Sequence, residues 1–196
     1  METENCEPVL ARPGAGLPIP ELFVARLLFF WKRRSGTRQA FSDEYEANRQ
    51  AISRLVSSVP EDQRGTRVLI PRLRGLEDSS RHWSVWMTLD HLRITNRAFT
   101  GVIATLSEGK VPPGRADTAA VKPAPESGPE TEEAFEISCD DLISQVNSVS
   151  NLETALRFPH PWFGPLNAAG WQALSAMHLG IHRKQIAEIA RRLHAS

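Results

Sequence analysis

The stretch Trp171–Leu193, WQALSAMHLGIHRKQIAEIARRL, decides how the rest of the chain is read. Steps of three and four residues through it place Trp171, Leu174, His178, His182, Gln185, Ile189 and Leu193 on one stripe. A stripe of that period is the face an α-helix turns toward a core. Two imidazoles one turn apart on it have Cβ atoms about 5–6 Å apart. Both can then reach one metal ion through bonds of about 2.0–2.1 Å. A buried imidazole needs a polar partner, and an ion supplies one to both rings. Taken alone, the pair is an incomplete site and more often marks two core histidines bonded to carbonyls.

A third donor changes that balance. The six histidines are His82, His91, His160, His178, His182 and His194. His194 lies in the last three residues, where chains fray. The other strongly helical segment runs from about Ser79 to Leu106, with Met87, His91, Ile94, Ala98 and Val102 on its inward stripe. Trp83, Trp86 and Leu89 widen that face, whereas His82, beside Arg81 in the first turn, reads as exposed. His91 is therefore the histidine that pairs with His178 and His182. Three inward imidazoles from two helices make the facial half of a catalytic metal site, with further positions open to water or substrate.

An inward His in the context T-L-D-H-L (88–92), followed far downstream by H-x-x-x-H-R-x-Q-I (178–186), resembles the DinB-like (DinB/YfiT) superfamily. The approach to the last helix, H-P-W-F-G-P-L-N-A-A-G-W-Q-A-L (160–174), looks most like a DinB-related branch of unknown function. That branch carries H-P-x-F-G, a capped helix start and a Trp ahead of its His pair. The resemblance covers roughly residues 43–193. It implies an all-α fold: an up-and-down four-helix bundle with a long connection between bundle helices 2 and 3. It also implies a metal triad at His91, His178 and His182, with Gln185 as a polar partner to a ligand. The ion would be zinc, nickel or iron, and the chemistry hydrolysis or thiol-dependent transfer. One departure is local. Asn167 still caps the last helix, but Gly170 stands where the branch has an acidic residue, so no capping box forms.

Composition fits one domain with a sizeable core. Lys plus Arg and Asp plus Glu number 23 each, so no nucleic-acid footprint is present. Cys6 and Cys139 lack metal-ligand or redox spacing, which suits reduced thiols and a cytoplasmic location. The acidic start, with Glu2 and Glu4, is not that of a signal peptide. The apolar run Leu22–Trp31 is too short for a transmembrane segment, which needs about 20 residues. The cations Lys32, Arg33 and Arg34 then suit a helix C-terminus. That helix is expected to pack across the bundle or to join a homodimer contact, an interfacial anchor being the other reading.

Residues 1–18 read as a disordered or extended tail, and residues 19–196 as a single helical-bundle domain with an extra N-terminal helix ending near Gly36. A helix from Ser42 to Ser58 follows, and the run R-V-L-I-P-R-L (67–73) is left open between extended and turn. The Pro-, Gly- and Glu-rich stretch 108–134 reads as a flexible linker rather than a lid. The third bundle helix is predicted from Cys139 or Asp140 to Phe158. His160 sits in the loop beyond it, at the mouth of the bundle or simply solvated.

The sequence shows no general base; Asp90 points about 100° away from its neighbour His91 on a helix. Catalytic residues other than the triad are therefore not assigned, and no cofactor-binding motif other than the metal site is found. The expected function is a metal-dependent enzyme activating water or a thiol on a small-molecule substrate. The alternative is a non-catalytic bundle whose cavity, lined by Met177, Ile181, Trp83 and Trp86, binds a small ligand or a protein partner.

Overall fold

The computed structural model describes residues 8–195. Five helices carry the fold: α1 Ile19–Ser35, α2 Arg38–Ser58, α3 Val85–Ser107, α4 Glu130–Ser148 and α5 Ala168–Leu193. Helix α3 packs on α4 and α5, and α2 packs on α5. The core between them is built from Tyr45, Ile52, Leu92, Ile103, Phe135, Leu142, Leu179 and Ile186, among others.

The all-α expectation needs one correction. Two short antiparallel ribbons flank the bundle, β1 Val68–Leu69 with β2 His82–Trp83, and β3 Phe158–His160 with β4 Gly164–Leu166. The undecided run 67–73 is thus extended at its start, with Val68 opposite Trp83.

Helix starts follow their caps. Thr37 Oγ1 accepts from Ala40 N at 3.2 Å, so α2 begins four residues before the Ser42 start predicted for it. Ser42 instead accepts from the Gln172 side chain. Ser84 Oγ accepts from Met87 N, which starts α3 at Val85 rather than near Ser79. Asn167 caps α5 through Gly170 N at 2.9 Å, as its side chain predicts.

Helix α4 is the largest displacement, lying about ten residues earlier than expected. The acidic residues read as linker, Glu130, Glu132 and Glu133, form its first turn, where carboxylates meet the positive end of the dipole. Its buried stripe runs Phe135, Ser138, Cys139, Leu142 and Val146. The two small residues in the middle hide it from a hydrophobic scan. At the other end, Arg38 donates to the carbonyls of Val146 and Val149 and closes the helix. Leu152, predicted helical, is buried from a loop, and Leu156 is exposed.

Helix α1 turns only Phe29 fully inward. Ile19, Phe23, Val24, Leu27, Leu28, Phe30 and Trp31 stay exposed on its surface. Among the described residues, no helix is long and apolar enough to cross a membrane.

Candidate metal centre

His91 stands in the first half of α3, and His178 and His182 in the middle of α5. The two helices pack directly, so the three rings meet with centroids 4.5–5.1 Å apart. One nitrogen from each lies within 4.8 Å of the other two, and together the three could hold a metal ion. His91 and His182 are buried at 6% and 4% exposure, while His178 is half-buried at the cavity.

Each of the two buried rings is fixed by an acceptor behind it. Val121 O lies 2.6 Å from His91 Nδ1, and Gln185 Oε1 lies 2.6 Å from His182 Nδ1. The carbonyl can only accept. The Gln185 amide is oriented by its own donation from Nε2 to Ser80 O at 2.7 Å. Both imidazoles therefore carry their proton on Nδ1 and present a lone pair at Nε2. Trp83 stacks on His182 at 10° to its plane and tilts against His91, while Phe99 sets its edge to His178.

Protonation is suppressed throughout the cluster. Burial, and then the charge of Lys122, push His91 down to about 4, against the pull of the Val121 carbonyl. Burial also holds His178 and His182 well below the ordinary histidine value, and the neighbouring imidazoles add to it. Neutral imidazole is the form that ligates metals.

The geometry fits an ion. His91 Nε2 and His178 Nε2 are 3.2 Å apart. Metal–nitrogen bonds of about 2.0–2.1 Å at angles of about 90–109° set such pairs at about 2.9–3.4 Å.

A cavity of about 350 Å³ opens over the triad. Three residues of the α3 stripe read from the sequence, His91, Ala98 and Val102, line it with Thr95 and Phe99, while Met87 and Ile94 do not. The core face of α3 lies beside that stripe, along Leu92, Asn96, Ile103 and Leu106. Trp171 and Phe158 close the far side. The four residues expected to line a cavity do not do so. Trp83 packs behind His182, Trp86 Nε1 donates to Glu132, Ile181 lies against Gly75, and Met177 packs on the core.

The connection between α3 and α4, read from composition as a plain linker, lies over this cavity through residues 112–122. Glu77 fastens it. This buried carboxylate accepts from Lys122 Nζ at 2.8 Å, from Thr118 Oγ1, and from the backbone N–H groups of Gly14 and Gly16. Asp90, next to His91 in sequence, is buried. It accepts from Arg93 and from Ala124 N, a second tie to the same segment.

The H-P-W-F-G segment forms the β3–β4 hairpin, with Gly164 at φ +69°, a left-handed conformation that suits glycine. His160 lines the cavity, stacked on Phe163 and edge-on to Trp171. Its Nδ1 accepts from Trp162 N at 3.1 Å, so the neutral ring holds its proton on Nε2. Burial pushes its pKa down to about 4.

The triad and Gln185 were readable from helical spacing and the resemblance it carries. Val121 was not, because it acts through a backbone carbonyl that has no side-chain signature. Glu77 was also missed; nothing in its local sequence marks it as a hub.

A model of the DinB superfamily matches residues 44–186, and the chain belongs to that superfamily. The crystal structure of TT2238, described as a four-helix bundle protein, resembles it with a TM-score of 0.56 and 21% sequence identity. That match covers 82% of this chain and 100% of that one, and establishes a likeness of fold. No curated protein matches the chain.

Proposed function

We infer that the protein is a metal-dependent enzyme in which His91, His178 and His182 hold one divalent ion beneath a small, mostly apolar substrate cavity. One observation carries this reading: two Nε2 lone pairs, fixed from behind by Val121 O and Gln185 Oε1, converge on His178 under a cavity of about 350 Å³. Three imidazoles suit zinc, nickel or iron(II), and leave coordination positions free on the cavity side. Held by these three imidazoles, a divalent ion would supply Lewis acidity, enough to bring the pKa of water toward about 7 or to favour a thiolate over a thiol. Hydrolysis and thiol-dependent transfer are the two reaction classes that follow.

The chain's own residues do the rest. Gln185 and Val121 hold the ligand rings in the metal-binding tautomer. Phe99, Val102, Phe158 and Trp171 exclude water from the apolar part of a substrate. His160 presents its Nε2–H as a neutral donor on an otherwise apolar wall. The connection, tied down by Glu77 and Asp90, covers the site. The reading includes an up-and-down order for α2–α5 within the four-helix bundle.

Cobalt(II) substitution tests the reading and separates it from a non-catalytic bundle. An open site changes its visible spectrum on adding 2-mercaptoethanol, with a new near-ultraviolet thiolate band, or on raising the pH through about 7. A spectrum that neither treatment moves means a closed, structural centre, and the ligand-binding alternative then stands.

A further inference from the structure

A second cavity, of about 640 Å³, lies at the opposite end of α5 from the C-terminus, between the end of α1, the start of α2 and the loop leading to β3. Four arginines line it, Arg33, Arg34, Arg38 and Arg157, against one carboxylate, Glu153. That is a local excess of positive charge in a chain whose net charge is zero.

The ordinary explanations account for only part of it. Arg38 is committed to the last carbonyls of α4. Lys32, in the same turn as Arg33, pairs with Glu44. Cations in the last turn of α1 also complement that helix's negative end. Arg33, however, leans the other way. Its guanidinium lies against the first turn of α5, where a Cβ on Gly170 would meet Arg33 Cζ and Nε at 3.2 Å. Among the described residues its hydrogen bond is a long one of 3.5 Å to Asn167 Oδ1, which already serves Gly170 N at 2.9 Å. It is a cation set beside the positive end of a helix, the unfavourable arrangement of charge and dipole.

Among the described residues, Glu153 is the one carboxylate at the cavity, and it does not pair with the arginines. Among the described residues, Arg33, Arg34 and Arg157 form no ion pair. Glu153 is turned to Asn167 Nδ2 at 2.7 Å. Burial, and then the like charge of Arg157, lower the pKa of Arg33, and Glu153 only partly opposes this. The first backbone N–H groups of α5 are already taken by Thr154 Oγ1, Leu152 O and Asn167 Oδ1. The recognition on offer therefore comes from guanidinium groups, whose planar donor forks match phosphate oxygens.

We propose that this cavity is an anion-binding site for a phosphate group, held by Arg33 and Arg157 with Arg34 at its rim. It is separate from the histidine centre and does not depend on a metal there. The exposed ring of Phe30 on its edge gives an apolar body attached to the phosphate a surface to lie on. The phosphate has two chemical sources, a soluble phosphate ester or an anionic lipid headgroup. The exposed apolar face of α1 runs up to the rim and makes the second a real arm of the test.

The experiment is calorimetric titration of the full chain with pyrophosphate at low ionic strength. In parallel, the protein is co-sedimented with vesicles of phosphatidylcholine alone and of phosphatidylcholine with phosphatidic acid. The proposal expects saturable binding in at least one arm, weakened by salt, and at least tenfold weaker in R33Q and in R157Q. Arg157 is exposed, so R157Q retains the fold even if R33Q disturbs the start of α5. Pyrophosphate binding identifies a soluble ester as sufficient. Binding only to the phosphatidic acid vesicles identifies a headgroup. No binding in either arm, or binding that survives R157Q unchanged, overturns the proposal.

Discussion

At the residue scale, the histidine cluster owes its chemistry to what stands behind it. His182 turns a free Nε2 lone pair to the cluster because its Nδ1–H donates to Gln185 Oε1. Gln185, wholly buried, can play that part because Ser80 O fixes its amide. Gln185→Leu removes the acceptor while keeping an apolar side chain of similar size. Loss of such a partner typically costs 10–100-fold in metal affinity. Competition with a chromophoric chelator should show a drop in that range, with far-ultraviolet circular dichroism unchanged. An affinity equal to that of the wild type would mean that the ring is held by packing alone. The residue-level site was largely legible in the sequence, since a four-residue step is enough to place His178 and His182 together. The carbonyl of Val121 was illegible for the same reason that it works: any residue at that position supplies one.

At the element scale, helices were legible where apolar residues mark the period and caps are clear, as in α5. They were less legible in α4, whose inward face passes through Ser138 and Cys139 and whose first turn is acidic. The connection was misread as a plain linker because composition reports no tertiary anchors. Its hold is largely electrostatic, through the carboxylates of Glu77 and Asp90, and Glu77 gathers most of the ties. Burial raises the pKa of Glu77, but hydrogen bonds and charge from Lys122, with the Gly14 N–H and Thr118, outweigh it and leave the value below that of a free glutamate. A carboxyl with a depressed folded value binds fewer protons folded than unfolded. Its contribution is therefore complete above the unfolded value of about 4.3, and fades as the pH falls through the folded one. Glu77→Gln should cost about 1–3 kcal/mol at neutral pH, with little difference from the wild type at pH values where Glu77 is protonated. Limited trypsin digestion reads the same tie directly, with cleavage after Arg115, which Ala116 follows, faster in the variant. Equal cleavage rates would mean that Asp90 and Ala124 hold the segment without Glu77.

For the whole molecule, the site joins elements that are distant in sequence: α3, α5 and, through Val121, the connection between α3 and α4. An ion bound there is bound by the folded state and not by the unfolded chain, so it stabilises the entire fold. At a free metal concentration 100-fold above the dissociation constant the gain is about 2.7 kcal/mol. For a chain of this length that corresponds to a rise of about 5–10 °C in Tm. Scanning calorimetry of chelator-treated and zinc-reconstituted protein should show this shift, and the H91A variant should show none. A Tm indifferent to metal in the wild type would place any bound ion outside the folded core. The most direct test of the central claim is the metal content of untagged protein by inductively coupled plasma mass spectrometry, beside the H178A variant. The histidine centre predicts close to one divalent ion per chain in the wild type and its loss in H178A. No metal in either after reconstitution would contradict it, and His91, His178 and His182 would then be hydrogen-bonded core residues.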